Sequence, residues 1–236
     1  MARFGPIHIA TSRWVLEGAR GGGAGAWTTG HGIEIVPAGA QCGDNGSLLS
    51  LAPGFSDALV SHVHAHGENN DFPITGVKGT GGNEDLTFRF LALHRLFGPS
   101  FQIGDWKDVR VEQSYIADVR STGAGDPFCE HWHAEGVSSI GENINLTFRY
   151  NLWDRIGGTA VFAGVNGGTS TDWFIYGNIL ARSVTTVRYY DDPGTSNQQS
   201  MHGLLFSNNV VVGSAGGSVG TIAVDAGSDN RVTNNI

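Results

Sequence analysis

The feature that most constrains this chain is an asparagine that returns at one place in a repeating β-type segment. Four segments share the frame apolar, any, any, Asn, apolar: Phe148-Arg149-Tyr150-Asn151-Leu152, Ile175-Tyr176-Gly177-Asn178-Ile179, Phe206-Ser207-Asn208-Asn209-Val210 and Val232-Thr233-Asn234-Asn235-Ile236. Val111 to Tyr115 fits with Ser114 in the Asn place, and Phe88 to Ala92 fits more loosely. The spacing runs from about 23 to 37 residues, with about 27 commonest. Self-similarity at such a period is the mark of stacked repeats.

Between these segments lies a second family ending in Gly or Asp. It comprises Phe101-Gln102-Ile103-Gly104, Ser138-Ser139-Ile140-Gly141, Val161-Phe162-Ala163-Gly164, Tyr189-Tyr190-Asp191-Asp192 and Val224-Asp225-Ala226-Gly227. Ile116, Leu180 and Val211 supply a short third side. One coil of this kind cannot bury its own apolar face, whereas stacked coils pair strand to strand in parallel and share a core. An Asn at a fixed turn then bonds to its copies above and below as an amide ladder. The expected fold is all-β: a right-handed parallel β-helix, a solenoid of about eight coils, with residues 1–236 as one domain.

Composition agrees with a folded, turn-rich chain. There are 36 glycines, but aromatic residues make up 10% of the sequence and charged residues only 15%, so the glycines punctuate a core-bearing chain and do not form a flexible linker. The net charge of −8, with only Lys78 and Lys107 as lysines, offers no basic patch for a phosphate backbone or an anionic bilayer. Nucleic acid and membrane are not expected as partners. Met1-Ala2-Arg3-Phe4 carries no secretory leader, so an extracellular or cell-surface location implies one already removed. The chain stops at Asn234-Asn235-Ile236 with no amphipathic cap. A piece of a longer protein, or ends covered by end-to-end self-association, is the expectation.

These repeats resemble the pectin-lyase-like superfamily of right-handed parallel β-helices, most closely over residues 83 to 236. The resemblance implies a fold of three-stranded coils and an activity on polysaccharide, by a lyase or a glycoside hydrolase. The superfamily also holds non-catalytic members, so an adhesin, tail-fibre or assembly module that binds glycans is the alternative. His133-Ala134-Glu135-Gly136-Val137 is similar to the Asn-x-Asp-Gly-apolar motif of polygalacturonases, which makes Glu135 an acid or base. Where that family places two adjacent aspartates, this sequence has Gly158-Thr159, and hydrolysis needs a carboxylate pair.

Glu130 to Val137 is the densest cluster of ionisable and aromatic residues. Catalytic roles fall to Glu135, to His133 as base, and to Arg188 as base or as the cation that neutralises a uronate carboxyl. Strand parity puts Phe101, Ile103, Val161, Ala163, Val187 and Tyr189 inward, and Gln102, Glu135, Ser139, Phe162, Arg188, Tyr190 and Asp225 outward. Substrate contacts are therefore assigned to His131, Trp132, Phe162, Tyr190 and Asp225. No cofactor is assigned; a Ca²⁺ site requires Glu135, Asp191, Asp192 and Asp225 to converge.

No metal ligands are assigned either. His62-Val63-His64-Ala65-His66 alternates like a metal-binding strand, yet it aligns with Arg89 to Leu93 and is expected to fill a turn. Gly30-His31-Gly32 reads as punctuation before the strand Ile33-Glu34-Ile35. Cys42 and Cys129 lie in loop text, where a disulfide needs the two loops to meet.

Overall fold

The computed structural model describes residues 1–20, 22–37, 46–67, 74–120, 134–158, 160–164, 168–189, 199–213, 222–224 and 227–236. Every regular element among them is a strand, and the strands form three sheets. Sheet A contains Ala2–Phe4, Ile33–Ile35, Val63–His66, Ala92–Leu96, Tyr115–Val119, Leu152–Ile156, Ile179–Ala181 and Val210–Val212. Sheet B contains Ile7–Ile9, Ser47–Leu51, Thr75–Thr80, Phe101–Gly104, Val137–Ile140, Phe162–Gly164, Val187–Tyr189 and Ile222–Val224. Sheet C contains Trp14–Glu17, Ser56–Ser61, Glu84–Arg89, Lys107–Glu112, Asn143–Arg149, Gly168–Tyr176, Leu205–Ser207 and Arg231–Thr233, with Gln199–His202 also pairing beside Gly168–Tyr176. The chain visits A, B and C in turn, and each strand pairs in parallel with strands of the same sheet from the preceding and following coils. This arrangement is consistent with a β-helix-like fold.

The core lies between the sheets as rows of stacked side chains. In sheet C, Val60, Phe88, Val111, Phe148, Ile175 and Phe206 stand over one another. Leu93, Ile116, Trp153, Leu180 and Val211 form the row of sheet A, which includes the three residues expected on the short side. Sheet B contributes Val77, Phe101, Val137, Phe162 and Val187. The rows meet through aromatic rings, with Phe162 centred 5.1 Å from Phe148 and 4.9 Å from Trp153. Burying each such side chain contributes about 1.5–3 kcal/mol relative to leaving it exposed.

At the turn from sheet C to sheet A the asparagines form a column. The backbone N–H groups of Ser114, Asn151, Asn178 and Asn209 donate to the Oδ1 atoms of Asn151, Asn178, Asn209 and Asn235 at 2.9–3.0 Å. Side-chain amides of Asn151, Asn178 and Asn209 donate to the same oxygens at 3.0–3.1 Å. Each Nδ2 also reaches a carbonyl of sheet C, as Asn178 does with Phe148 O at 2.9 Å. Ser114 Oγ extends the column by accepting from Leu91 N at 3.0 Å.

The residue just before each ladder position is left-handed: Phe90, Gln113, Tyr150, Gly177, Asn208 and Asn234 have φ between 50° and 65°. That conformation is costly for most L-residues, and here it turns the next side chain into the stack. At Gly177 a Cβ would come within 2.6 Å of the Tyr150 ring, so glycine also makes room for that aromatic. A further group of asparagines at the entry to sheet C was not anticipated. Asn143 and Asn230 accept from the N–H groups of Trp106 and Leu204, each at 2.9 Å, and Asn83 donates to Ala52 O at 2.8 Å.

Replacing Asn178 by Ala removes amide bonds on both sides of a buried residue, at a cost of about 1–3 kcal/mol. Urea unfolding is expected to show that loss. Asn235→Ala, at the more exposed end of the column, is expected to cost less, and equal costs would contradict the ladder as drawn.

Candidate functional site

Only part of the sugar-facing strip anticipated from sequence falls among the described residues. His131, Trp132, His133, Tyr190 and Asp225 lie outside the described residues, as do Cys42, Cys129, Asp191 and Asp192. Glu135 is 0% exposed, and its backbone carbonyl accepts from Ser100 N at 3.0 Å. Arg188 does take an outward position in sheet B, level with Ala163 and Ala223.

Phe162 and Ser139 are corrections. Phe162 pairs with Val137 and Val187 in the inward row, and Ser139 pairs with Ile103 and is buried. Ala163 correspondingly leaves the inward set. The reason is a one-residue phase error. Gly104, Gly141 and Gly164 mark where the chain leaves each coil, but they fall three, four and two residues after the stacked positions Phe101, Val137 and Phe162. Aligning on glycine therefore reverses the faces, because side chains alternate with period two.

The outer face of sheet C carries a continuous polar surface among the described residues. Thr87, Arg110 and Thr147 form one column, and Arg89, Glu112, Arg149 and Tyr176 form the next. Asp57, Asp85, Asp108, Asn145 and Asp172 occupy a bulged position with φ of 53–56°, a conformation Asp and Asn tolerate better than most residues. Asp85, Thr87, Asp108, Arg110, Asn145 and Thr147 line an open depression of about 380 Å³ crossing three coils. Asn145 donates to Asp108 at 2.5 Å, and Arg149 donates to Glu112 at 2.6 Å and to the Tyr176 hydroxyl at 3.2 Å. Tyr150, half exposed, stands edge-on to Tyr176 with centroids 5.7 Å apart.

The outer face of sheet A carries the second concentration of chemistry. Here the expected turn at His62 to His66 is corrected: Val63–His66 is a strand, and its true partners are Ala92, Leu93 and His94, one residue on from the anticipated alignment. His64 and His66 both face out, beside Glu34 on the preceding coil and His94 on the following one. The ring of His64 is centred 4.5 Å from His66, 4.8 Å from His94 and 5.7 Å from His31. His64 Nε2 and His94 Nε2 share a hydrogen bond of 2.6 Å, and His66 Nε2 lies 3.1 Å from Glu34 Oε1. His31 is itself buried and bonds through Nε2 to Phe90 O at 3.1 Å, so it is more than turn punctuation. Farther along the face the imidazoles give way to an ionic ladder in which Arg155 pairs with Asp118 and Asp154, and Arg182 with Asp154.

Packing sets the charge of this cluster. Burial, reinforced by the neighbouring imidazoles, pushes His64 down to about 4 and His94 down to about 3, and burial also lowers His31. The rings are therefore neutral near pH 7 and present lone pairs. Glu34 is held below its ordinary value, first by the hydrogen bond from His66. No protein-family model, curated protein or solved structure matches the chain.

A histidine with a depressed folded pKa binds fewer protons folded than unfolded. Its contribution is complete above the unfolded value of 6.5 and is lost as pH falls towards about 4 for His64 and about 3 for His94. In chelator-treated protein the melting temperature is expected to drop across that window, and to drop less steeply in His94→Asn. Identical slopes in the two proteins would contradict the packing origin of the shift.

Proposed function

We propose that the chain is a right-handed parallel β-helix of the pectin-lyase-like kind, located outside the cell or on its surface. Its function is carbohydrate-active: a polysaccharide lyase or glycoside hydrolase that takes an acidic polysaccharide along the outer face of sheet C. The observation that carries this reading is the open polar depression across three coils, lined by threonine hydroxyls, an asparagine amide, two carboxylates and Arg110. A surface repeating every strand spacing of about 4.8 Å can meet a polymer at successive places. Arg110 offers a guanidinium to a uronate carboxyl, and the half-exposed Tyr150 offers a ring face for a sugar. A Ca²⁺ ion between Asp85 or Asp108 and the polymer would offset the repulsion expected from a chain of net charge −8. The catalytic roles argued from sequence for Glu135, His133 and Arg188 require in addition that the polymer extend from sheet C onto sheet B, where Arg188 takes an outward position.

One observation favours a second reading, a non-catalytic glycan-binding or structural β-helix. Glu135 is fully enclosed, and a general acid must come within hydrogen-bond reach of its substrate.

The two readings separate in one set of assays. The protein is incubated with uronate and neutral polysaccharides while unsaturated product and reducing ends are followed, and affinity electrophoresis is run on the same panel. Retardation by an acidic polymer that weakens in Arg110→Ala, with product formation lost in Glu135→Gln, is the expected result. Retardation without product supports the glycan-binding form of the second reading. Neither retardation nor product on any glycan contradicts the carbohydrate-active reading, and together with end-to-end oligomers in light scattering that result supports the structural form.

A further inference from the structure

The histidine cluster on sheet A is not used by the carbohydrate reading. We propose that Glu34, His64 and His66 form a binding site for one divalent transition-metal ion of the zinc class, with His94 as a fourth ligand.

The geometry points to an ion in three ways. First, one ligand atom from each of Glu34, His64 and His66 lies within 4.8 Å of the others. Ligand atoms at about 2.0–2.2 Å from a tetrahedral zinc stand roughly 3.3 Å apart, so rotamer adjustments of about an ångström or less close the set. His64 and His94, whose Nε2 atoms are 2.6 Å apart, have only to open by a similar amount.

Second, His66 is 8% exposed, and its Nδ1 is buried without a hydrogen-bond partner among the described residues. Its other nitrogen bonds Glu34. A buried imidazole nitrogen with no partner leaves a desolvated polar atom, so the described protein contacts alone do not satisfy this ring.

Third, the imidazoles are confined to adjacent coils. Level with His64 in the later coils stand Ala92, Tyr115, Leu152 and Ile179, and level with His94 stand Ala117, Asp154 and Ala181. Packing of the sheet's outer face is thus met elsewhere by ordinary residues, and among the described strands of sheet A it is Ile33–Ile35, Val63–His66 and Ala92–Leu96 that bring His and Glu together.

The donor set selects the metal class. Imidazole nitrogens with a single carboxylate suit Zn²⁺, Co²⁺, Ni²⁺ or Cu²⁺, whereas Ca²⁺ and Mg²⁺ need several oxygen ligands. Because the ligands come from three coils, the ion ties those coils together. It binds the folded chain alone, so binding raises the melting temperature.

The test uses the full chain stripped with chelator. Titration with Co²⁺ is followed by visible absorption, then Zn²⁺ is added, and melting is recorded with Zn²⁺ and with Ca²⁺. Expected are one Co²⁺ per chain with the intense bands of a tetrahedral site, their disappearance on adding Zn²⁺, and a melting shift with Zn²⁺ but not Ca²⁺. Glu34→Gln and His66→Gln are expected to lose saturable binding. His8→Gln, at an exposed histidine of sheet B that bonds Ser50, is expected to retain it. Should His66→Gln fail to fold, Glu34→Gln and the wild-type spectrum still decide. Absence of Co²⁺ bands and of a Zn²⁺ shift overturns the proposal, leaving a packed histidine stack. Equal binding in folded Glu34→Gln or His66→Gln overturns it too, because the ion then sits elsewhere. None of these readouts depends on whether a glycan binds.

Discussion

The structure depends on one repeated bond: a turn N–H of one coil donates to the side-chain oxygen of an asparagine in the next. Strand pairing alone tolerates slippage, because a parallel ladder shifted by two residues still keeps its faces. The asparagine column removes that freedom. Asn151, Asn178, Asn209 and Asn235 each hold the coil before them through the backbone N–H and, at three of the four steps, through the side-chain amide as well. With that turn pinned, the rows of Phe148, Trp153 and Phe162 meet in the core. What lies outside then follows from alternation.

Fixed register makes the outer faces additive. A residue type placed at the same position in neighbouring coils becomes a column with near-constant spacing, so a few substitutions produce an extended chemical surface. Sheet C uses this for threonine, arginine and aspartate across the Asp85, Asp108 and Asn145 coils. Sheet A uses it for imidazoles over its early coils and for the Asp118, Arg155, Asp154 and Arg182 ladder over later ones. The two faces belong to different sheets, which permits two independent roles on one scaffold.

Much of the fold was legible because asparagine at this turn is chemically specific. All four expected residues, with Ser114, stand in one column, and Ile116, Leu180 and Val211 line the short side as read. Sheet B was less legible because its glycines mark exits of variable length, and that reversed Phe162 and Ser139. The His64 and His66 alternation was visible in the chain. Its partners were not, because Glu34 and His94 lie about thirty residues away on either side: a one-residue error in pairing hid His94, and the strand of Glu34 was not paired with this one at all. The signal that would have found them is the short strand Ile33-Glu34-Ile35, whose central carboxylate must face outward if its isoleucines face the core.

Native-state hydrogen exchange, read at single amides, tests the account most directly. The N–H groups of Asn151, Asn178 and Asn209 sit at turns, where amides facing water exchange quickly, but here they donate to side chains of the next coil. The account predicts that they exchange as slowly as the strand amides of Phe148 and Ile175. Exchange at the rate of an open turn would show that the column does not hold the coils in register.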